Sequence, residues 1–228
     1  MPAPVKIVGG QKGQVPGVEI GSDQFWGAVY AAIKPLDYTG PGGLNILGHY
    51  RVAKNFANTA AQTGPLFTWR WGIAATVGYM VPTRISCSGV ITTAFTTAQV
   101  TDVMATRATA YSVSATAGTA FTPFGNSNKM RANMANSQVT DMRYGAVTAG
   151  TRTLDAAPFA AGVLSSGNTA LAGVLPQIDL YNAAAYAGAH PLVHTLNEGV
   201  EISAATALGA AGVLTYYITV EWAEVVAF

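Results

Sequence analysis

Charge is scarce in this chain. Asp, Glu, Lys and Arg make up 10% of its 228 residues, against about 25% in ordinary soluble domains. A surface built with so little charge must rest on Ala, Thr, Gly and Ser. Such side chains lose little rotamer entropy when covered, so they suit close packing against a neighbour. Two readings stand open at this point: an assembly subunit, or a plain stable β domain. Cysteine is nearly absent. Cys87 stands alone, so no internal disulfide forms and no disulfide framework marks a secreted scaffold. Among strand-like neighbours it reads as a small buried hydrophobe, and the sequence identifies no base that would activate it as a nucleophile. No run of about 18 apolar residues occurs, which excludes a membrane-spanning helix. The opening MPAPVKIVGG has no basic region followed by a long apolar stretch, and so does not read as a secretory signal.

Bases are also missing from one end. All twelve Lys and Arg lie at or before Arg152. Five acids precede that point and six follow it, from Asp155 to Glu224. Residues 1–152 therefore carry 12 − 5 = +7 and the remainder −6. Pairing of early with late strands would neutralise this within one fold; alternatively, it supplies complementarity between subunits. The bases are dispersed, with no basic helix or arginine cluster, so nucleic-acid binding is not indicated.

What is present is strand pattern. In LTYYITVEWA the residues Leu214, Tyr216, Ile218, Val220 and Trp222 fall on one face; Thr215, Tyr217, Thr219, Glu221 and Ala223 fall on the other. That two-residue period describes a strand packed on a core by one face. A 3.6-residue period would scatter the same residues around a helix axis. LFTWRW (66–71) alternates in the same way. Further strands are expected near Tyr50–Val52, over 76–93 with an edge or bulge at Pro82, over 100–115, over 139–147, over 175–181 as a short strand or connection, and after a turn at Asn197–Gly199. TAGTRTLDAAPFAAG and SSGNTA read as loops, and Phe121–Ser137 as a long polar excursion of the kind that contacts partners. Strand segments separated by turn chemistry, without amphipathic helices, predict an all-β, antiparallel β-sandwich. About eight of them suit a jelly roll. This domain covers 46–228. Residues 1–45 differ: Gly- and Pro-rich stretches bracket FWGAVYAAI. They read as an extended N-terminal arm whose assembly anchors are Phe25, Trp26 and Tyr30, docked in cis or on a neighbour.

Catalytic and metal signals are weak. His190 and His194 have the spacing of two helical ligands, but Pro191 and the β-branched flanks oppose a helix, and on a strand they lie about 13 Å apart. Glu198 and Glu201 flank a turn, Glu221 and Glu224 fall on opposite faces of the last strand, and all read as solvated edge charges. Phosphate-loop, HExxH, GxSxG and CxxC motifs are absent. Trp69, Trp71, Tyr216 and Trp222 would make a sugar platform if exposed, but their strand alternation favours a core. No cofactor, metal ligand or catalytic residue is assigned.

LFTWRWG (66–72), GNSNKMRANMANSQVTDMR (125–143), TAGTRTLDAAPF (148–159), HPLVHTLNEGVEI (190–202) and VLTYYITVEWAEV (213–225), in this order, resemble a family of tailed-bacteriophage virion structural proteins. The likeness covers about residues 45–228. It implies a non-enzymatic virion protein, capsid decoration foremost, placed on the capsid exterior and made in the host bacterial cytoplasm. Its partners would be copies of itself, a trimer ahead of a dimer, and the major capsid protein. Nucleic acid and membrane are not expected partners. A tail-fibre receptor- or glycan-binding module and a sugar-polymer hydrolase remain the alternatives.

Overall fold

The computed structural model describes residues 46–59, 63–72, 78–121, 128–130, 134, 136–139, 141–166, 174–186 and 190–225. Eleven strands occupy them: β1 Ile46–Thr59, β2 Gly64–Arg70, β3 Tyr79–Thr93, β4 Gln99–Val113, β5 Thr116–Phe121, β6 Asp141–Thr148, β7 Thr151–Leu154, β8 Ala160–Ser166, β9 Val174–Asn182, β10 Gly199–Ala204 and β11 Val213–Val225. A 3-10 turn, Ala183–Tyr186, follows β9. No helix among the described residues is long and apolar enough to cross a membrane.

Two antiparallel sheets pack face to face. One runs β1-β11-β3-β9; the other runs β5-β6-β2-β10-β4-β7, with β8 also on β4. Omit β5, β6 and β7 and number the remaining eight strands in chain order. The sheets then read 1-8-3-6 and 2-7-4-5, the interleaved order of a jelly roll. The β5–β6 hairpin extends the second sheet beyond β2.

Why β11 lies at the centre of its sheet follows from its pattern. It pairs with β1 over thirteen positions and with β3 along its whole length. Its face of Leu214, Tyr216, Ile218, Val220 and Trp222 is buried, and Tyr50 stacks on Trp222 with ring centroids 5.5 Å apart. From the opposite sheet Phe67, Trp69, Val103, Ala105, Val200 and Ile202 fill the same core. The Tyr216 hydroxyl would be orphaned there but shares a hydrogen bond of 3.0 Å with Thr101 Oγ1 across the sheets. Cys87 belongs to this core, and burial pushes its thiol up to about 12. The candidate sugar platform is thus core: Trp69, Trp71, Tyr216 and Trp222 are all buried.

Pro82 sits inside β3, a central strand, at a place where the ladder permits it. The β11 register steps there, between Glu221 and Trp222, and β9 pairs β3 only from Arg84 onward. The missing N–H therefore falls at a bulge where one neighbour is absent.

Two strands correct the expectation of loops: TRTL forms β7 and AAGVLSS forms β8, both on β4. β5 is a further strand, running up to the start of the excursion at Phe121. β7 and β8 carry few large apolar residues of their own. They are held by β4, whose inward Val103 and Ala105 are already committed to the core. On the other hand, residues 190–196 form no strand; only His194 bridges to Met80.

Candidate functional site

Chemistry-bearing side chains gather where β2, β4, β7 and β10 run together. Register places Glu201 of β10 between Thr68 of β2 and Thr106 of β4, and Gly199 beside Arg70. These positions alternate with the core-facing Trp69, Val200 and Ile202, so they lie on the outer face of the second sheet. Arg70 is nonetheless buried. Its guanidinium donates to Ser114 Oγ at 3.1 Å, to the Tyr111 carbonyl at 3.1 Å and to Asn197 Oδ1 at 2.7 Å, and lies 5.7 Å over the Tyr111 ring. Burial is the main cause raising the Tyr111 phenol, with the Glu201 carboxylate adding to it.

Glu201 is also buried, and it is held from β7. Arg152 Nε donates to its Oε2 at 2.9 Å, and an Arg152 terminal nitrogen donates to the same oxygen. Glu198 accepts from Arg107 at 2.6 Å and from the Thr195 amide at 2.8 Å. The turn just before Glu198 is stapled to the end of β2: Asn197 N–H donates to the Trp71 carbonyl, and Trp71 N–H to the Glu198 carbonyl. Asn197 takes φ 66°, a left-handed value that Asn tolerates better than most residues. Glu198 and Glu201 are therefore not solvated edge charges, as the turn chemistry suggested. Arg107 and Thr106 are successive residues of β4, so the two glutamates meet the sheet on opposite faces rather than flanking one space.

Four ion pairs link the basic and acidic stretches within the fold. Arg51 pairs with Glu221 at 3.2 Å, Arg84 with Asp179 at 3.0 Å, Arg107 with Glu198 at 2.6 Å, and Arg152 with Glu201. Each joins a base of the basic stretch to an acid of the acidic one. Among the described residues, the Arg143–Asp141 contact, at 3.9 Å, stays within the basic stretch. These pairs form because the interleaved topology puts late strands beside early ones.

Glu224 overturns the solvated reading more completely. It is fully buried on β11. Its Oε1 accepts from Ser137 Oγ at 2.5 Å and from Trp222 Nε1 at 3.0 Å. The Gln138 amide donates to both carboxylate oxygens, at 3.1 and 3.0 Å. Burial pushes this carboxyl above the usual range, and the donors oppose the shift. Ser137 and Gln138 end the polar excursion, whose Asn128–Met130 stretch pairs with His49–Arg51 of β1. The described part of the excursion is thus seated on its own sandwich.

The remaining candidates do not converge. His194 is buried, with its ring edge-on to Trp69 at 6.2 Å, and burial holds its pKa down to about 3. His190 is exposed. Among the described residues, no group of three His, Cys, Asp or Glu is placed to hold a metal ion. Phe25, Trp26 and Tyr30 lie outside the described residues. The Arg70–Tyr111–Glu201–Arg152 cluster was not anticipated. Its one sequence signal is an arginine between two tryptophans in a strand, where a charge needs a buried partner.

A search among protein-family models, curated proteins and solved structures returned no match.

Proposed function

We propose that this chain is a non-enzymatic structural subunit of a tailed-phage particle, a capsid decoration protein that stabilises the head through contacts with copies of itself and with the major capsid protein on the capsid exterior. The observation that carries this reading is the division of labour between interior and surface. Trp69, Trp71, Tyr216 and Trp222 are held in the core, Glu201 and Glu224 are buried, and Asp179, Glu198 and Glu221 are held in ion pairs. What faces outward over long stretches is small and neutral: Thr92–Ala94, Thr96–Ala98, Thr116–Ala120, Ala156–Ala157 and Ala205–Ala207 are exposed. Such a surface can be covered by a neighbour at low entropic cost. The virion likeness of the strand motifs adds to this, and a trimer is preferred over a dimer on that likeness alone.

A sugar-polymer hydrolase would need two carboxylates facing one space at a set separation; Glu198 and Glu201 are each turned to an arginine instead. Mass spectrometry of purified particles tests the proposal. Capsid decoration expects a copy number comparable to that of the major capsid protein. A handful of copies per particle would overturn it and favour a tail-fibre module.

A further inference from the structure

Natural sheets guard their edges by shortness, charge, proline, bulges or a covering segment. The described edges here can be compared on those terms. β1 is covered at His49–Arg51 by Asn128–Met130. β9 carries Pro176 and Asp179, and its ladder with β3 is twice interrupted. β5 bears two left-handed residues, Ala117 and Gly118, at a break in its register with β6. β7 has four residues and carries Arg152.

Among the described residues, β8 shows none of these protections. AAGVLSS contains no charge and no proline, and pairs with β4 at seven consecutive positions without a bulge. It has no other strand partner among the described residues. Its inward side is committed: Leu164 is buried, and Gly162 sits so close to Ile178 of β9 that a side chain would collide there. Its outward side is not. Val163 is 59% exposed; Val100, one step diagonally across on β4, is 61% exposed. Phe159, just before β8, is 38% exposed. Val163 and Val100 thus form a small outward apolar patch, with Asp102 directly opposite Val163; Phe159 stands at the other end of β8, edge-on to Tyr181 at 6.0 Å.

Something extended, apolar and uncharged fits this edge. The longest such stretch outside the described residues is FWGAVYAAI, residues 25–33, nine residues bracketed by Gly and Pro. β1, into which this arm leads, is the edge strand at the far side of its sheet from β9, the strand that β8 packs beneath. β1 thus lies at the flank opposite β8, so a copy standing at the β1 flank brings its own β8 to the side where residues 1–45 join the described fold.

We propose that β8 is a docking edge for residues 25–33 of a neighbouring copy. The segment adds a strand beside β8, and Phe25, Trp26 or Tyr30 lies on the Val100–Val163 strip. This rests on the structural-subunit reading and names the surface through which copies join. Backbone hydrogen bonds supply affinity in such strand addition, and alternate side chains supply specificity. Passed from copy to copy the contact is head-to-tail, and it closes into a ring such as a trimer when the rotation between copies permits.

Paired cysteines in the full-length chain test it. Val163→Cys is combined with a cysteine scanned through residues 27–32, oxidised, and run without reductant. Cys87 is buried and its thiol pushed up to about 12, so it does not compete. The expected result is covalent oligomers at one or two positions of the scan. Light scattering of the unmodified protein should give a multiple of the 23.5 kDa chain mass, falling to a single chain in Trp26→Ala and in Val163→Lys. Ala161→Lys, on the same exposed face, serves if Val163→Lys loses its β-sheet circular-dichroism signal. Cross-links confined to single chains, a chain that is monomeric at all concentrations, or variants that keep their mass each overturn the proposal. The readout is on purified protein, so its failure is distinct from a failed particle copy number.

Discussion

Trp222 and Glu224 share one face of β11, and the indole Nε1–H of Trp222 donates to the Glu224 carboxylate at 3.0 Å. The same oxygen receives Ser137, and the pair thereby fastens the end of the polar excursion to the last strand. Every group turned toward this carboxylate is a donor. In Glu224→Gln the amide nitrogen would face the Gln138 N–H or the Trp222 N–H. The variant is expected to lose about 1–3 kcal/mol, the cost of a buried donor left unmet, measured by urea unfolding followed through tryptophan fluorescence. An unchanged midpoint would show that the latch adds nothing.

Arg152 and Glu201 form the most buried of the ion pairs. Arg152→Met leaves a buried carboxylate without its cation and should cost about 3–5 kcal/mol. Glu201→Gln together with Arg152→Met should cost less than the sum of the two single changes, because the partners are in contact. A double-mutant cycle reads the difference. By contrast, Arg84→Ala at the exposed pair with Asp179 should change stability by less than about 1 kcal/mol.

His194 and Glu224 give opposite pH dependences. Burial holds His194 down to about 3, so its neutral form is the folded one. Its contribution is fully present above the ordinary histidine range and is lost as pH falls from about 6.5 toward 3. Arg107 nearby reinforces that direction. Glu224 is raised, so its contribution is present below the ordinary carboxylate range and is lost as pH rises through its folded value. His194→Leu should flatten the acid limb of the stability curve relative to the unmodified protein. A parallel curve for the two proteins from pH 7 to 4 would contradict this.

Cys87 should resist alkylation in the folded protein at pH 8 and react only on unfolding, since the thiolate is the reactive form. Intact mass after iodoacetamide treatment, with and without denaturant, measures it. Labelling at equal rates in both would show the core to be open.

Ala211 turns the chain into β11 with φ 67°, and it is exposed. A Cβ costs about 1 kcal/mol in that region, and glycine avoids the clash. Ala211→Gly should therefore raise stability by about 0.5 kcal/mol after the added unfolded-state entropy is counted, seen as a higher urea midpoint.

Where large apolar residues line one face of a strand, side-chain alternation was enough to find it. The stretches 66–71, 100–115 and 214–223 declared themselves in this way, because the two-residue period is a local consequence of the pleat. β7 and β8 did not. TRTL and AAGVLSS have too few large apolar residues to show a period, and they are strands because β4 offers them a ladder. Backbone hydrogen bonding to a remote partner leaves no trace in the residues that accept it.

The charged residues divide along the same line. Local spacing alone makes Glu198, Glu201 and Glu224 resemble acids at strand ends. Their burial depends on Arg107, Arg152 and the Ser137–Gln138 pair, residues tens of positions away that the jelly-roll order carries alongside. The excess of base before Arg152 and of acid after it is readable from composition, and so is the need to neutralise it. Which arginine meets which acid was decided by strand order, because an ion pair depends on a separation of a few ångströms, and distance along the chain says nothing of it.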